Sequence, residues 1–293
     1  MTWLIVVGCV VAVAILAAVA YWHLIIAEGA YLGPRMVART YDWAAHRYDA
    51  IKQFAPGDED WFVAAPLWSR LAGVERPLLL DVATGTGRVP LALVRNRFAL
   101  TGGQIVGLDL SLGMLQQARD KLGDYGERVS FVWEDASRLP FDDGAFDAVT
   151  SLEALEFLPS PREALTEMVR VLAPGGVLMV TNRVGRAARL LPGRTFSREA
   201  FQQVLAALPL HSVETRRWQA DYDLAVARKA GKGDRAGRAG VSLASLLRCP
   251  ACRYYVEQPA DRPVLVCVGC GRVFPVRQGI VALAEGKDQS GRQ

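Results

Sequence analysis

The chain begins with a long, almost purely apolar stretch. Trp3 to Ala27 spans 25 residues, and His23 is its polar interruption. A helix needs about 20 apolar residues to cross the hydrocarbon core of a bilayer. Trp3, Tyr21 and Trp22 would then lie at the two membrane interfaces, where amphipathic aromatic rings are enriched. The pattern predicts a transmembrane helix over residues 3–27.

The basic residues around this stretch predict its orientation. No lysine or arginine precedes it, whereas Arg35, Arg39, Arg47 and Lys52 follow it. Because positive flanks stay on the cytoplasmic side, we expect a single-pass membrane protein with the rest of the chain in the cytoplasm.

Two alternatives to a transmembrane helix stay open. Ala18-Val-Ala20 is similar to a signal-peptide cleavage site, although the apolar run exceeds the usual length of about 7–15 residues. A buried core helix would normally be shorter.

Residues 33–76 are polar and aromatic, with a helical period. Apolar side chains recur at helical spacing at Tyr41, Ala45 and Tyr48, and Pro56-Gly57 interrupts the pattern. We expect amphipathic helices that form a cap segment. Such a segment either covers a ligand or packs against the edge of a sheet, and both interpretations stay open.

From about residue 77 to 229, short apolar runs alternate with amphipathic stretches. Leu78–Leu80 and Ile105–Leu108 are two such runs, and each is followed by an aspartate, Asp81 and Asp109. This alternation is typical of parallel strands joined by crossover helices. The fold class predicted is α/β, a doubly wound sheet with helices on both faces.

The turn after the first run, in LLLDVATGTGRVP (78–90), is suited to binding a small cofactor. Gly85 and Gly87 lack the Cβ atoms that keep a ligand away from the backbone. The helix that follows offers free N–H groups at its start. The third glycine of the dinucleotide fingerprint is replaced by Pro90, which counts against NAD.

The motif D-x-x-x-G-x-G at 81–87 resembles the first motif of class I S-adenosylmethionine-dependent methyltransferases of the small-molecule, type 11 kind. Four further segments are similar to later motifs of that family, in the same order: QIVGLD (104–109), FVWEDASRLPF (131–141), FDAVTSLEALEFL (146–158) and VRVLAPGGVLMVT (169–181). The family often has glycine where this chain has Ala83.

The resemblance implies a Rossmann-like, seven-stranded methyltransferase domain over residues 77–229, with S-adenosyl-L-methionine as cofactor. It implies that Asp109 accepts both ribose hydroxyls and that Asp135 contacts the adenine amine. Met114 suits an adenine contact or a place in the core equally well. The implied cofactor contacts are Asp81, Ala83, Gly85, Gly87, Asp109, Leu110, Met114, Asp135, Ala136 and Ser151.

Glu153 and Glu156 are the candidate catalytic residues, because they follow the fourth strand, where the family's pocket faces the methyl group. Either carboxylate could take a proton from an acceptor hydroxyl or amine. Both could instead orient the loop, since alignment of donor and acceptor accounts for much of methyl transfer and many members of the family use no base.

The C-terminal part carries two C-x-x-C pairs. Residues 230–245 begin glycine-rich and basic and are predicted to be a linker. Cys249, Cys252, Cys267 and Cys270 then have the spacing of a four-thiolate zinc site, so residues 246–286 are predicted to bind structural Zn²⁺. The segment resembles the small zinc ribbons that include the activating partner of some methyltransferases, which makes the ribbon a candidate surface for a protein partner.

Charge and composition narrow the function classes. A net charge of +4 over 293 residues is too small to argue for nucleic acid as a partner. The function predicted is a membrane-anchored methyltransferase that acts on a small or lipid-like acceptor, a quinone or lipid headgroup, at the cytoplasmic face. An RNA or protein methyltransferase and a non-catalytic, partner-recruiting scaffold are the alternatives. The arginine-rich stretch at 183–194 is either in contact with anionic headgroups or a solvated loop.

Overall fold

A computed structural model of the chain describes residues 2–95, 102–233, 236–238, 240–260 and 262–287. It begins with helix α1 (Thr2–Tyr21), which continues into a π-helical turn (Trp22–Ile26). The two helical segments together span Trp3–Ile26, which is long and apolar enough to cross a membrane. None of the residues in the most hydrophobic part of this span is buried. Residues 3–21 are therefore exposed along the whole of α1, and contacts with the rest of the chain begin at Trp22.

The centre of the molecule is a mixed sheet. Five strands run parallel in the order β3-β2-β1-β4-β5, and β7 and then β6 are added antiparallel beyond β5. These strands are β1 (Leu78–Val82), β2 (Gln104–Asp109), β3 (Val129–Trp133), β4 (Phe146–Ser151), β5 (Leu172–Arg183), β6 (Leu210–Trp218) and β7 (Tyr222–Lys229).

Helices cover both faces of the sheet. Leu78 and Leu80 belong to one apolar core and Leu79 to the other, because alternate residues of a strand face opposite sides. Serine N-caps begin α6, α7 and α9; the cap of α6, Ser111, accepts a hydrogen bond from the Met114 amide. The helices after α1 are α2 (Pro34–Lys52), α3 (Pro56–Glu59), α4 (Ala65–Leu71), α5 (Arg88–Arg95), α6 (Leu112–Leu122), α7 (Pro161–Val171), α8 (Gly185–Ala188), α9 (Arg198–Ala206) and α10 (Leu243–Leu246).

The cysteine-rich segment continues the sheet. Its strands are β8 (Val256–Glu257), β9 (Val264–Cys267), β10 (Val273–Arg277) and β11 (Ile280–Ala282). β11 lies parallel to β3, with Val281 opposite Val132, and the hydrogen-bonded order therefore contains eleven strands. Seven of these strands, β1–β7, lie within residues 77–229, and the sequence did not predict that the cysteine-rich segment would extend the same sheet. The physical reason is that β3 alone would leave a row of unpaired backbone groups at the sheet edge, and β11 pairs with them.

The predicted linker is in contact with the domain surface. Arg238 pairs with Asp147 (Nη1–Oδ1 2.6 Å), and the Gly240 amide donates to Gln104 Oε1 (2.6 Å). Within the range 230–245, residues 234, 235 and 239 lie outside the described residues. Leu247 and Cys249, which follow α10, are buried in the same core as Phe141. The cysteine-rich segment therefore shares packing with the α/β sheet.

Candidate functional site

A cavity that is partly open to solvent lies at the carboxyl edge of the sheet beneath α2. Its walls come from the loops after β1, β2 and β4 and from α2. Its lining combines the carboxylates of Asp109 and Asp135 with apolar side chains such as those of Val37 and Leu158. Crevices at this edge are where open α/β sheets bind their ligands. Among the residues predicted from the sequence, the cavity is lined by Ala83, Gly85, Asp109, Leu110, Asp135, Ala136 and Glu153.

Asp109, at the end of β2, is the central polar group of the cavity. Its Oδ2 accepts the Gly85 amide (2.8 Å) and its Oδ1 accepts the Ser111 amide (2.8 Å). Burial raises the pKa of Asp109 to about 6, although the backbone hydrogen bonds from Ser111 and Gly85 oppose that rise. Each carboxylate oxygen keeps a lone pair for another donor. The group can therefore accept two hydroxyls from a ligand while its own position is fixed.

The backbone of the loop after β1 approaches the cavity closely. Ala83 and Gly85 both have left-handed conformations, with φ of +56° and +54°. A Cβ built on Gly85 would meet no atom within 4 Å, so the missing side chain leaves open space beside the cavity. Gly87 differs, because a Cβ there would come within 2.7 Å of Leu122 Cδ1 on α6. Gly87 therefore permits close helix packing and does not line the cavity.

Asp135 and Ala136 line the cavity beyond the end of β3. The Oδ1 atom of Asp135 accepts hydrogen bonds from the Ser137 amide (2.7 Å) and the Ser137 hydroxyl (2.6 Å). These bonds hold the carboxylate in place. The indole N–H of Trp133 donates to the Leu110 carbonyl (2.8 Å), which joins the end of β3 to the loop after β2.

Helix α2 closes the cavity from above. Tyr41 and Tyr48 line it, and the Tyr41 hydroxyl donates to Glu28 Oε2 (2.8 Å). Asp42 Oδ1 accepts hydrogen bonds from the Ser111 hydroxyl (2.6 Å) and the Gly113 amide (2.8 Å), which fixes α2 to the start of α6. The cap segment expected from the sequence therefore lies over the cavity.

A second carboxylate on α2, seven residues after Asp42, also joins this helix to neighbouring elements. Asp49 accepts a hydrogen bond from the Thr86 hydroxyl and pairs with Lys121. Neither Asp42 nor Asp49 is among the residues predicted from the sequence. The repeated Tyr-Asp pair, seven residues apart, was the available signal, because residues at that spacing share one face of a helix.

Glu153 lines the cavity after β4 and is held by two cations. Its Oε1 lies 2.6 Å from Arg88 Nη1, and its Oε2 lies 3.0 Å from Lys52 Nζ. Burial by itself would raise the pKa of Glu153, but Lys52 and Arg88 together lower it. The carboxylate therefore stays ionised, which makes it a weak base while the pairs persist. Its backbone φ is +55°, and its amide donates to the Thr181 hydroxyl (2.6 Å).

Glu156 does not reach the cavity. It is fully buried, its Oε1 accepts the Tyr222 hydroxyl (2.7 Å), and Arg183 Nη1 lies 3.7 Å away. Burial raises the pKa of Glu156. The short 3₁₀ turn Leu155–Phe157 directs this side chain inward, away from the space where an acceptor could bind.

Three other predicted contacts lie behind the cavity wall. Asp81 accepts hydrogen bonds from the hydroxyls of Thr84 (2.7 Å) and Thr150, and burial raises its pKa to about 6. It lines a smaller recess that shares Ala83, Gly85 and Glu153 with the main cavity. Met114 is fully buried in the protein interior, and Ser151 is buried within β4. Their inward orientation follows from the helix and strand periodicity.

The four C-terminal cysteines converge. The Sγ atoms of Cys249, Cys252, Cys267 and Cys270 all lie within 4.8 Å of one another. The shortest separations are 3.3 Å between Cys252 and Cys267 and 3.7 Å between Cys249 and Cys270. Four thiolates at about 2.3 Å from a central Zn²⁺ are spaced in this way. The cluster could hold a metal ion.

Residues 80–180 match the sequence model of a family described as a methyltransferase domain. The chain is 39% identical over 150 residues to a demethylmenaquinone methyltransferase of Clavibacter sepedonicus, which covers 50% of this chain and 58% of the relative. It is 34% identical over 174 residues to a ubiquinone/menaquinone biosynthesis C-methyltransferase, UbiE, of Azotobacter vinelandii, which covers 57% and 66%. The chain thus spans less than two thirds of either relative.

Two solved structures share the fold. The [4+2]-cyclase SpnF has a TM-score of 0.56 at 22% identity, covering 67% of this chain and 96% of SpnF. A methyltransferase solved in complex with the Haloferax volcanii Trm112 methyltransferase activator has a TM-score of 0.50 at 24% identity, covering 65% and 97% of the two chains. Residues 80–180 of this chain therefore match a methyltransferase domain, within a sheet that shares the fold of the two solved structures.

Proposed function

We propose that this protein is a membrane-anchored methyltransferase that transfers the methyl group of S-adenosylmethionine to a small, lipid-like acceptor, such as a quinone, at the cytoplasmic face. The observation that carries the proposal is the position of Asp109. Its half-buried carboxylate, held by the Gly85 and Ser111 amides, lines a cavity within a methyltransferase domain.

The residues present fit this cofactor. Asp109 would accept the ribose hydroxyls, and Asp135 and Ala136 would contact the adenine. Gly85 leaves room for the ligand beside the backbone, and the recess near Asp81 and Arg88 would take the amino-acid part. Bound S-adenosylmethionine supplies a methyl group on a sulfonium, which is already a good leaving group. The task of the chain is then to align the acceptor and to exclude water.

The acceptor class follows from the apolar part of the cavity lining. Pro34 and Val37, at the start of α2, and Leu158 and Pro159, after β4, belong to it. The start of α2 is close in sequence to the apolar helix, because α2 begins only eight residues after Ile26. The names of the two relatives refer to quinone biosynthesis or to a menaquinone precursor. An apolar acceptor that partitions into a bilayer would suit both observations.

Glu153 is the candidate to accept a proton from the acceptor, since it lies in the cavity and Glu156 does not. Its ion pairs with Lys52 and Arg88 favour the charged form, so we assign it first a positioning role at the cavity wall. We also propose that the four cysteines bind structural Zn²⁺, and that α1 crosses the membrane with the α/β sheet on the cytoplasmic side.

Calorimetric titration of the full-length protein in detergent with S-adenosylmethionine tests the cofactor site. Asp109→Asn should weaken binding at least tenfold, by roughly the worth of two hydrogen bonds to a charged group. Asp124→Asn, at an exposed position after α6, is the matched control and should bind normally. Absence of binding by the wild type would refute the proposal.

A labelled-methyl transfer assay on membrane extract tests the acceptor class. Separation of the lipid, protein and RNA fractions after the reaction shows which one is labelled, and we expect label in the lipid fraction. Label in protein or RNA would favour one of the alternative transferases. Cofactor binding with no label in any fraction would favour a non-catalytic scaffold.

A further inference from the structure

The arginine-rich stretch after β5 lies against the end of the apolar helix. The indole N–H of Trp22 donates to the Leu190 carbonyl (3.2 Å), and the Tyr31 hydroxyl donates to the Pro192 carbonyl (2.8 Å). Arg194 Nη2 donates to the Ala30 carbonyl (2.6 Å). These contacts bridge more than 150 residues of sequence, so residues 190–194 are fixed to the point where the helix ends.

The arginines of this stretch fall into two groups. Arg194 bonds the Leu158 and Ala30 carbonyls, and Arg183 lies near Glu156. Arg186 and Arg189 are exposed, and neither forms an ion pair with a carboxylate in the described part of the chain. The first group has a structural role within the fold, whereas the second offers two free positive charges.

Apolar side chains accompany these free charges. Leu190 and Leu32 are each 47% exposed, and Arg35 is exposed at the start of α2. We call the surface formed by Leu32, Arg35, Arg186, Arg189 and Leu190 the basic-apolar patch. Trp22, which contacts this patch, lies near the end of the candidate membrane span at 3–26. Tryptophan at that place is typical of the headgroup level of a bilayer.

We infer that the basic-apolar patch lies on the anionic headgroups of the bilayer that α1 crosses, with its arginines at the phosphates and its leucines in the interface. The inference rests on the membrane anchoring proposed above. Its occupant is an anionic phospholipid surface, because the patch is positively charged and because a helix in the membrane would hold it at that depth. The contact would also bring the cavity wall at Leu158 toward the bilayer, since Arg194 joins Leu158 to Ala30.

Amide hydrogen exchange of the full-length chain in lipid nanodiscs tests this inference. We compare discs of phosphatidylcholine with discs containing phosphatidylglycerol, and follow peptides that cover residues 186–191 and 3–26. Exchange at 186–191 should be slower in the anionic discs, and 0.5 M salt should remove the difference because charges at a surface are then screened. Arg186→Gln/Arg189→Gln should reduce the protection by roughly tenfold or more, since each arginine near an anionic surface contributes about 1 kcal/mol.

The matched control is Arg138→Gln/Arg217→Gln, which removes the same charge from two exposed positions outside the patch and should leave the protection unchanged. Equal exchange at 186–191 in both kinds of disc would overturn the inference. The peptide 3–26 shows which proposal has failed: if it is protected, anchoring stands and the headgroup contact is refuted, and if it is not, both are refuted. Equal protection of 186–191 in detergent would show that the protection needs no lipid headgroups and would also overturn the inference.

Discussion

Arg88 and Glu153 form a buried ion pair beneath the cavity, with Nη1 and Oε1 2.6 Å apart. Arg88 Nε lies 2.7 Å from Glu59 Oε2, and the guanidinium lies over the rings of Phe54 (4.2 Å) and Trp218 (4.7 Å). One cation thus connects the cap segment, the helix after the glycine loop, the edge strand β6 and the loop after β4. The guanidinium of Arg88 therefore pairs both with Glu153 of the cavity wall and with Glu59 of the cap segment.

Replacement of this cation should destabilise the protein strongly. Arg88→Met removes the cation that pairs with the buried Glu59 carboxylate and leaves Glu153 with Lys52 alone, which costs about 3–5 kcal/mol of unfolding free energy. Arg95→Met is the matched control: its pair with Asp60 is more than one third exposed, so its loss should cost about 1 kcal/mol or less. Chemical denaturation of both variants measures the difference. Equal losses would contradict a structural role for the Arg88 pair.

Substitution by alanine should have different effects at Gly85 and at Gly87, the two glycines of the D-x-x-x-G-x-G motif. Gly85→Ala adds a methyl group where no atom lies within 4 Å, at a φ of +54°, so stability should fall by about 1–2 kcal/mol. Because that methyl group enters space beside the cavity, affinity for S-adenosylmethionine should fall roughly tenfold. Denaturation and calorimetry of the same preparation measure the two effects.

Gly87→Ala should instead act mainly on stability. Its φ is +79°, and the new Cβ would approach Leu122 and Ala118, so we expect a loss of about 2–4 kcal/mol. Gly123→Ala is the control, because its φ is −54° and its Cβ would meet no atom within 4 Å. A Gly87→Ala protein with native stability but no cofactor binding would contradict the packing role.

Cofactor binding should weaken in acid. The pKa of Asp109 is raised to about 6 by burial, and the carboxyl must be ionised to accept two hydroxyls. As the pH falls through 6, the free protein becomes protonated and affinity should decrease by up to about tenfold per pH unit. Calorimetry between pH 5 and 7.5 measures this profile.

Two other carboxyls near the cavity could produce a similar profile. Burial raises the pKa of Asp81 to about 6 and that of Glu134 to about 7. Asp81→Asn and Glu134→Gln should keep the acid-dependent loss if Asp109 is its source. A flat profile in the wild type would contradict the prediction, and loss of the pH dependence in either variant would assign it to the substituted carboxyl.

The cysteine cluster should retain about one zinc ion per chain through purification. Cys267→Ser removes one of four thiolates and should reduce the metal content close to zero, whereas Cys9→Ser, in the apolar helix, should leave it unchanged. Since β11 pairs with β3, metal loss should also speed amide exchange at 129–133 and 280–282. Wild-type protein without zinc, or a Cys267→Ser variant that keeps it, would contradict the assignment.

Local sequence patterns were sufficient to predict many elements of this structure. The run Leu78–Leu80 followed by Asp81, the run that ends at Asp109, and the spacing of the four cysteines each report on neighbours a few residues apart. A strand that ends at a sheet edge delivers its last side chain there, so Asp109 at the cavity follows from the pattern. The apolar helix is likewise a property of one continuous stretch.

Other features depend on contacts between distant segments. The pairing of β11 with β3 joins residues about 150 positions apart, and Arg88 contacts residues from three other segments of the chain. Glu153 and Glu156 are equivalent by sequence position, yet a left-handed residue and a 3₁₀ turn direct one to the cavity and the other to the interior. Periodicity records which face of an element is buried, but which distant partner covers that face depends on how the elements pack, and this was decided only by the tertiary structure.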